Sequence, residues 1–271
     1  MISRGIDIAA KGMMSLIDLQ DSTANNIANV NTAGYKKEGL SFRNVYNALI
    51  EEPVERNNPK NQDGRLVGEI SMGSVTNRLV HQFTQGTLSR TDNPLDLGIE
   101  GDGFFKLRAP DGTITYTRNG SFCINSQNLL TDMQGNQVLD DQNNPIRLNL
   151  TELNVKSEKD LTVNEDGTIV SIRDETAQAL QKIGIFDFAN KDDMMAVGTS
   201  MYVPKNIETN PEIRAQKFSV QQGAIELSNA NIINEMINSI KVSRNYETLS
   251  SFVREKSNQL SQAINLGRLS T

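Results

Sequence analysis

The chain has 271 residues, of which 37% are hydrophobic and 5% aromatic; it contains no tryptophan and carries a formal net charge of −6. Acidic and basic residues are interspersed, which argues against the basic patch of a nucleic-acid-binding protein or of a protein that binds anionic membranes. A single cysteine, Cys123, rules out an intramolecular disulfide, and one cysteine with one histidine cannot build a Cys/His zinc site. We therefore expect no metal and no cofactor.

The first residues do not have the pattern of a cleaved secretion signal. Asp7 and Lys11 interrupt the stretch in which such a signal has its apolar core, and no other run is long and apolar enough to span a membrane. The sequence thus predicts a protein that is not integral to the membrane. It is either cytosolic or exported by a route that needs no cleaved signal.

Residues 1–31 predict an amphipathic helix with a heptad-like stripe. Steps of alternately four and three residues place mostly apolar side chains on one face, as in a coiled coil. The positions on this face are Ile2, Ile6, Ala9, Met13, Leu16, Gln20, Thr23, Ile27 and Val30. Asn31 and the residues up to Gly34 end the helix, because glycine suits a left-handed cap.

Residues 225–266 predict a second long helix, with Ser228 or Asn229 as its N-cap. The same stepping selects Ile232, Met236, Ser239, Ser243, Tyr246, Ser250, Val253, Ser257, Leu260 and Ile264. A second ridge consists of Ile233, Ile237 and Ile240. The small serines on the seam would let a partner helix approach closely. The pattern also fits an ordinary core helix, so the two interpretations stay open.

The segment between these helices predicts strands and turns without βαβ alternation. Residues 36–75 read as an extended linker whose proline- and asparagine-rich part, 51–65, is a loop. Residues 76–220 read as an antiparallel β domain, with hairpin turns at Asp111-Gly112, Asn119-Gly120, Gly135-Asn136 and Asp166-Gly167. The class is therefore α+β: helix 1–35, linker 36–75, β domain 76–220 and helix 221–271.

No group of residues predicts catalysis. His81 is the only histidine and has no nucleophile motif to serve. Carboxylates cluster at Asp92, Asp96, Glu100 and Asp102, but the chain has no tryptophan to form a sugar platform, so these acids read as turn and cap residues. A carbohydrate-active enzyme that uses Asp92, Asp96 or Glu100 remains as an alternative.

Three segments resemble the flagellar rod and hook protein family. ANNIANVNTAGYKK (24–37) resembles its N-terminal signature, and GTLSRTDNPLDLGIEGDGFFKL (86–107) with DGTITYTRNGSF (111–122) resembles its central signature. IELSNANIINEMINSIKVSRNYE (225–247) is similar to its C-terminal signature. One departure lies after the aromatic strand, where the family often has Asp and then Gly. Here Asn125 and Asn128 occupy those places, and asparagine tolerates the same turn.

The resemblance implies a subunit whose two terminal helices pair and pack with those of other copies into the inner wall of a hollow tube, with the β domain outside. On this basis the assembly contacts are Ile2, Ile6, Met13, Leu16, Asn25, Asn26, Ile27, Asn29, Asn31, Ile232, Met236, Ile237, Ile240, Arg244, Tyr246, Glu247, Val253 and Leu260. The residues that shape turns are Gly34, Asn93, Pro94, Asp96, Gly101, Gly103, Asn119 and Gly120. For Arg244 and Glu247 a simple surface role is an equal alternative.

The function that the resemblance implies is mechanical. We expect a subunit of the bacterial flagellar basal-body rod, most similar to the distal rod protein, with the proximal rod protein as the alternative and a hook-type subunit as a weaker one. Its partners would be further copies, other rod proteins, the hook, the outer bushing rings and the flagellar type III export apparatus. It would lie in the rod that spans the periplasm, with helices that become ordered on assembly. A monomeric binding module or an export chaperone is the alternative from another class.

Overall fold

A computed structural model of the chain describes residues 2–44, 47–51, 66–71, 74–149, 160–173 and 176–269. Two helices, α1 (Ile2–Ala28) and α2 (Ile232–Leu269), lie at the ends of the described sequence, and strands lie between them. This confirms the α+β class and the antiparallel β middle. The apolar periodicity of both ends is thus realised as helix.

The strands are short. In chain order they are β1 (Glu38–Asn44), β2 (Asn47–Glu51), β3 (Leu66–Ser71), β4 (Ser74–His81), β5 (Leu88–Arg90), β6 (Leu97–Gly101), β7 (Phe104–Arg108), β8 (Ile114–Thr117), β9 (Phe122–Ile124), β10 (Leu130–Asp132), β11 (Gln137–Val138), β12 (Leu161–Val163), β13 (Thr168–Arg173), β14 (Thr176–Lys182), β15 (Ile185–Phe188), β16 (Met194–Ala196), β17 (Met201–Pro204), β18 (Glu212–Arg214), β19 (Phe218–Gln222) and β20 (Ala224–Glu226). A short 3-10 helix spans Lys191–Asp193.

The chain forms two compact units. Unit 1 consists of Met1–Asn25, Glu38–Val80 and Ile233–Thr271, and unit 2 consists of Asn26–Lys37 and His81–Ile232. In unit 1, β1 pairs with β4 and β2 pairs with β3. Residues 36–75, predicted as an extended linker, therefore contain strands, because even this polar segment has enough alternating apolar residues to form two-stranded ribbons. The loop predicted at 51–65 lies outside the described residues apart from its first position, which ends β2.

The main sheet of unit 2 is built around β7. One edge of β7 pairs with β8, and its other edge pairs with β15 at its start and with β11 at its end. The sheet continues through β17 and β16 beyond β8, and through β10 and β9 beyond β11. Smaller antiparallel groups, β12–β13–β14, β6–β19 and β5–β20, complete the unit.

Three of the four predicted hairpin turns are confirmed. Gly112, Gly135 and Gly167 have positive φ in the turns β7–β8, β10–β11 and β12–β13. The turn β9–β10 also forms, with Asn128 at φ 59° and the Asn125 side chain accepting from the backbone N–H of Leu129. Asparagine thus replaces the expected glycine there, because its short side chain tolerates the left-handed region.

The fourth hairpin prediction, Asn119-Gly120, is wrong. β8 pairs with β7 and β17, while β9 pairs with β10, so no hairpin joins β8 to β9. A type I′ turn needs positive φ at both central residues, and neither Asn119 nor Gly120 is among the described residues that have it. Residues 119–120 instead run beside the start of β6, where the Leu97 N–H donates to the Gly120 carbonyl.

The apolar core of unit 2 has two parts. The larger consists of Leu95, Leu97, Ile99, Phe105, Leu107, Phe122, Leu130, Val138, Ile146, Leu148, Leu161, Val163, Ile169, Ile183, Ile185 and Val220. The smaller, on the other face of β7, consists of Phe104, Tyr116, Phe186, Phe188, Met194 and Tyr202. Adjacent phenylalanines of β7 therefore contribute to opposite faces, as the alternation of a strand requires.

The ends of both helices differ slightly from their predictions. α1 ends at Ala28, three residues before the predicted limit. α2 begins at Ile232, so neither Ser228 nor Asn229 is its cap, and Asn231 occupies the preceding position. The Ser228 hydroxyl accepts from the Ala230 N–H in a local turn, and this bond competes with a capping role.

Candidate assembly interface

Helix α2 exposes much apolar surface. The large apolar side chains that are at least 38% exposed on it are Ile232, Ile233, Met236, Ile237, Ile240, Tyr246, Phe252, Leu260 and Ile264. The most exposed, Ile233 and Ile240, leave 65% and 56% of their surface open. A large apolar surface on one long helix marks an interaction site, because isolated soluble chains rarely leave such a patch uncovered.

Within unit 1, α1 and α2 run antiparallel where they touch. The Gln20 amide donates to the Ser239 hydroxyl over 2.9 Å. Further along, a Cβ added at Gly12 would lie 3.3 Å from the Leu249 side chain. Residues with lower numbers on α1 therefore contact residues with higher numbers on α2, as expected for an antiparallel pair.

Between these contacts lies an open groove of about 300 Å³. It is lined by Leu16, Ile17, Gln20, Val242, Ser243, Tyr246 and Glu247. The groove leaves part of the surface of these side chains uncovered, although Val242 in its wall is itself buried.

The predicted stripe of α1 is mostly half-buried, and the buried side chains of Ser15, Ser22 and Asn26 lie outside it. Ala9 and Thr23 are buried, and the partly buried members are Ile6, Met13, Leu16, Gln20, Ile27 and Val30. The side chain of Ile2 lies outside the described residues. Ile8, Met14 and Ile17, which are not stripe positions, are exposed.

The predicted seam of α2 does not coincide with its covered positions. Among the side chains of α2 that the structure describes, Glu235 and Val242 are buried, and both stepping patterns missed them. The patterns select apolar residues, so they could not select the carboxylate of Glu235. Of the remaining predicted contacts, Tyr246 is 39% exposed, Arg244 and Glu247 are exposed, and Val253 is partly buried.

The asparagines near the end of α1 make local contacts. Asn26 is only 1% exposed and accepts a hydrogen bond from the Tyr35 hydroxyl, so its role within this chain is structural. Asn25 donates to the Glu38 carboxylate, and the side chain of Asn29 accepts from the Thr32 hydroxyl. Asn31 is exposed.

A buried ion cluster in unit 2 was not predicted. Lys36 Nζ lies 2.6 Å from Glu226 Oε1, and neither side chain exposes any surface. Arg118 Nη1 lies 3.3 Å from the other oxygen of Glu226, and its side chain is 2% exposed. All three residues lie inside the motifs quoted above, but no role was predicted for them. Each motif also contains other charged residues, so the sequence carries no signal that distinguishes these three.

Hydrogen bonds from the surrounding backbone complete the buried ion cluster. Lys36 Nζ donates to the Thr84 carbonyl, the Gly86 N–H donates to Glu226 Oε1, and Arg118 Nη2 donates to the Gly101 carbonyl. Burial lowers the pKa of the Lys36 ammonium below its ordinary value, and the nearby carboxylate of Glu226 opposes this shift. Burial is also the largest cause of the lowered pKa of Arg118.

Asn229 joins the same segments. Its side-chain oxygen accepts from the Lys37 N–H over 2.7 Å, and its amide donates to the carbonyls of Gln82 and Thr84. The Gly34 N–H donates to the Glu226 carbonyl over 2.8 Å. The segment after α1 and the segment before α2 are thus joined side by side within unit 2.

Two predicted turn glycines allow close approach of backbones. Gly34 has φ +70°, and a Cβ there would lie 2.2 Å from the backbone nitrogen of Asn119. A Cβ at Gly120 would lie 1.7 Å from the carbonyl oxygen of Leu97. Distances this short leave no room for any side chain, so both positions require glycine.

The predicted corner at Asn93-Pro94-Leu95-Asp96 is present directly before β6. The Asn93 side chain donates to Asp96 Oδ1 and accepts from the Leu95 N–H, and the Pro94 carbonyl accepts from the Gln222 amide. Gly101 and Gly103, at the end of β6 and beyond it, have φ of +100° and +122°.

The candidate catalytic residues have structural partners. Glu100 accepts from the Gln221 amide, and Asp102 pairs with Lys191 at 2.6 Å. His81 is buried with its ring edge against Tyr202. Among the described residues, no group of His, Cys, Asp or Glu side chains is arranged to hold a metal ion. In the same part of the chain, no helix has the length and apolarity to cross a membrane.

Comparison with known proteins identifies three matching segments. Residues 6–36 match the family described as flagella basal body rod protein, residues 98–171 match the flagellar hook protein FlgE/F/G D1 domain, and residues 221–266 match the flagellar basal body rod FlgEFG protein C-terminal family. The matches occur in the order of the three motifs that sequence analysis singled out.

Full-length relatives are also similar to the chain. It is 33% identical to the flagellar basal-body rod protein FlgG of Borreliella burgdorferi, over 98% of this chain and 99% of the relative. It is 26% identical to FlgG of Bacillus subtilis over the same shares of the two chains. It is 28% identical to the flagellar basal-body rod protein FlgF of Mesorhizobium japonicum, over 95% of each chain.

Proposed function

The chain belongs to the flagellar basal-body rod and hook family, and we propose that it is the distal subunit of the rod, a hollow helical shaft. Proteins of this family are structural components of the flagellar basal body, so the chain is a structural protein and not an enzyme. That assignment removes the carbohydrate-active alternative. Self-assembly with other rod and hook components follows from the same family.

The observation that carries the proposal is the apolar surface of α2. Within the described chain, Ile240 and Ile264 leave 56% and 55% of their surface exposed. Burying such side chains contributes about 1.5–3 kcal/mol for each one fully covered. A helical assembly covers this surface in every subunit at once, whereas a monomeric binding module or chaperone leaves it exposed until a partner arrives.

We infer that α1 and α2 form the wall of the shaft as a coiled-coil-like pair joined by helices of neighbouring copies. The antiparallel contacts at Gln20–Ser239 and Gly12–Leu249 support such a pair. The open groove lined by Leu16, Val242 and Tyr246 supports the addition of further side chains from outside. In this proposal the predicted assembly residues on the exposed face of α2 contact neighbouring copies, and Asn26 supports the bend that follows α1.

The remaining partners belong to the same proposal. The protein is exported through the flagellar type III export apparatus and lies in the rod that spans the periplasm. There it contacts the outer bushing rings, transmits torque and leaves a central channel for later subunits. The free helices of an exported monomer become ordered as they dock, since their apolar faces lack sufficient cover before assembly.

The distal position is supported by relatives named FlgG, one of which is 33% identical over nearly the whole chain, while a FlgF relative is 28% identical. The alternative is a proximal rod subunit. Complementation separates the two: we expect this gene to restore rods in a strain that lacks its distal rod subunit and to fail in a strain that lacks the proximal one. The reverse pattern would assign the proximal position.

The assembly mechanism is tested by hydrogen exchange of the full-length free protein and of isolated rods. We expect the backbone amides of α2 to exchange rapidly in the free protein and to gain at least about a hundredfold protection in the rod, because uncovered helices open locally. The amides of β7 serve as the internal reference, since they are buried in unit 2 in both states. Strong protection of α2 in the free protein would contradict assembly-coupled ordering and favour a self-sufficient helical module.

A further inference from the structure

The buried ion cluster of Lys36, Arg118 and Glu226 joins parts of the chain that are far apart in sequence. Lys36 and Glu226 are separated by 190 positions, and Arg118 and Glu226 by 108. Each member falls in a different matched segment: Lys36 in 6–36, Arg118 in 98–171 and Glu226 in 221–266. The three segments that mark the family are therefore held together in this chain by one carboxylate and two cations.

The composition of the cluster is unfavourable for stability alone. Two cations share one carboxylate, so the site buries a formal charge of +1. The Arg118 Nε atom is buried with no hydrogen-bond partner among the described residues, although the guanidinium also lies 5.2 Å from the centre of the Phe104 ring. Desolvating several charges often costs as much as their attraction returns, and apolar replacements are often as stable. A role in specificity explains the cluster better than a role in stability.

The geometry shows which segments the cluster aligns. Lys36 lies in the segment that follows α1, and Glu226 is the last residue of β20, the strand that precedes α2. Two hydrogen bonds donated by backbone N–H groups join the same segments as the ion pair. The Gly34 N–H donates to the Glu226 carbonyl over 2.8 Å, and the Lys37 N–H donates to Asn229 Oδ1 over 2.7 Å. A different pairing of the two segments would leave Lys36 and Glu226 buried without each other, which is costly.

We propose that the buried ion cluster is a positioning element for assembly, which fixes the segment after α1 and the segment before α2 in a single register. Lys36, Arg118 and Glu226 act through the two segments and do not themselves touch a neighbouring subunit. The chain segments that lead into both helices are thereby held in one arrangement. The consequence for assembly rests on the proposed function, whereas the consequence for register is a property of the free chain.

The register is tested by residue-resolved hydrogen exchange on two full-length variants. Glu226→Gln keeps the shape and the backbone contact but removes the negative charge. The triple variant Lys36→Met, Arg118→Met and Glu226→Leu replaces the cluster by apolar side chains. The reporter is the Gly34 amide, because its acceptor is the backbone carbonyl of Glu226 and no substitution removes it. We expect its exchange to accelerate at least about tenfold more than that of the core amide of Leu107.

Assembly is tested by the incorporation of the same variants into rods of a complemented strain. We expect the triple variant to retain the fold of unit 2 and to be incorporated at least about tenfold less than the wild type. If the cluster positions the segments, the single variant Lys36→Arg, which keeps the positive charge, should be incorporated as efficiently as the wild type. Lys182→Met, which removes the exposed ion pair with Asp166 in the same unit, changes neither readout.

The outcomes separate the two proposals. Gly34 exchange that changes no more than Leu107 exchange in both variants overturns the positioning role, as does wild-type incorporation of the triple variant. Failure of the wild-type protein itself to enter rods in the distal and in the proximal strain contradicts the proposed function. In that case Gly34 exchange in the free protein still decides whether the cluster sets the register.

Discussion

Lys36 and Glu226 form an ion pair in which the ammonium nitrogen lies 2.6 Å from the carboxylate oxygen and neither side chain exposes any surface. Arg118 approaches the second oxygen of the same carboxylate. Because each residue comes from a different motif, the cluster gives a physical reason why these motifs occur together in one chain. Parts of all three motifs therefore meet in the folded unit 2.

Replacing Glu226 by Ala leaves two buried cations without a counter-ion. We expect unit 2 to lose about 3–5 kcal/mol of its free energy of unfolding, the range measured when one partner of a buried pair is removed. Chemical denaturation followed by hydrogen exchange of buried amides of unit 2, such as that of Leu107, reports on this unit. The matched control is Lys191→Ala, whose ion pairs are more exposed and contribute less than about 1 kcal/mol. Equal losses in the two variants would contradict a special role for the buried pair.

Gly34→Ala tests the close approach of two backbones. The new Cβ would lie 2.2 Å from the backbone nitrogen of Asn119, and the residue has φ +70°. Gly112→Ala is the matched control, because Gly112 has φ +87° but nothing within 4 Å of the added atom. We expect Gly112→Ala to lower the free energy of unfolding by about 1–2 kcal/mol because of backbone strain. Gly34→Ala should cost about 1–3 kcal/mol more because the backbones must move apart. If thermal unfolding gives similar losses of free energy of unfolding for both variants, the segment around Asn119 moves away from the new Cβ without measurable cost.

The sequence predicted those features of the fold that depend on local patterns. Both helices follow from apolar periodicity, and β7 with its turn at Asp111-Gly112 follows from alternation beside a turn signal. Asn119-Gly120 failed because the same dipeptide serves equally as a close-approach site, and only the neighbouring Leu97 backbone decides between the two. Local pattern carries no information about such distant partners.

The sequence predicts part of the assembly surface on α2 but does not predict the buried ion cluster. The exposed residues Ile233 and Ile240 were named from the pattern of α2 as a second ridge. The buried Glu235 was missed because a hydrophobic pattern cannot select a carboxylate, and the buried Val242 was missed because neither stepping pattern includes its position. The pairing of Lys36 with Glu226 spans 190 positions and follows only from the tertiary fold.

Asp102 gives a pH dependence with a defined sign. A hydrogen bond from Lys191 is the main cause that lowers the pKa of this carboxyl below its ordinary value. A carboxyl with a lowered folded-state pKa contributes stability above its unfolded-state pKa, near pH 4, and the contribution disappears as the pH falls through the folded-state value. Because the side chain is 57% exposed, this contribution is at most about 1 kcal/mol.

The measurement is an NMR titration of the Asp102 carboxyl carbon in the wild type and in Lys191→Met. We expect the inflection to occur at a lower pH in the wild type. Asp111 is the internal control, since the backbone N–H of Thr113 is the main cause that lowers its pKa and Lys191 does not contribute. An Asp102 inflection that does not move in the variant would mean that Lys191 does not pair with it in solution.

Ile233→Ala with Ile240→Ala tests the exposed face of α2 as the surface that neighbouring subunits cover. Alanine keeps the helix propensity and removes apolar area that the free chain leaves 65% and 56% exposed. We expect the free protein to keep its unfolding midpoint within about 0.5 kcal/mol, as for other surface substitutions. Incorporation into rods should fall at least about tenfold, because each isoleucine loses about 1 kcal/mol of the burial gained on assembly.

The control for this double variant is Lys241→Ala, an exposed position on the same helix that carries a charged side chain in place of an apolar one. It should enter rods as efficiently as the wild type. A double variant that assembles normally while α2 is protected in the rod would mean that neighbouring copies cover another face of the helix. Since Tyr246 and Leu260 are 39% and 38% exposed, they would then be the next positions to replace. Loss of incorporation in the control as well would mean that incorporation responds to any change in α2, so it would not support an apolar interface.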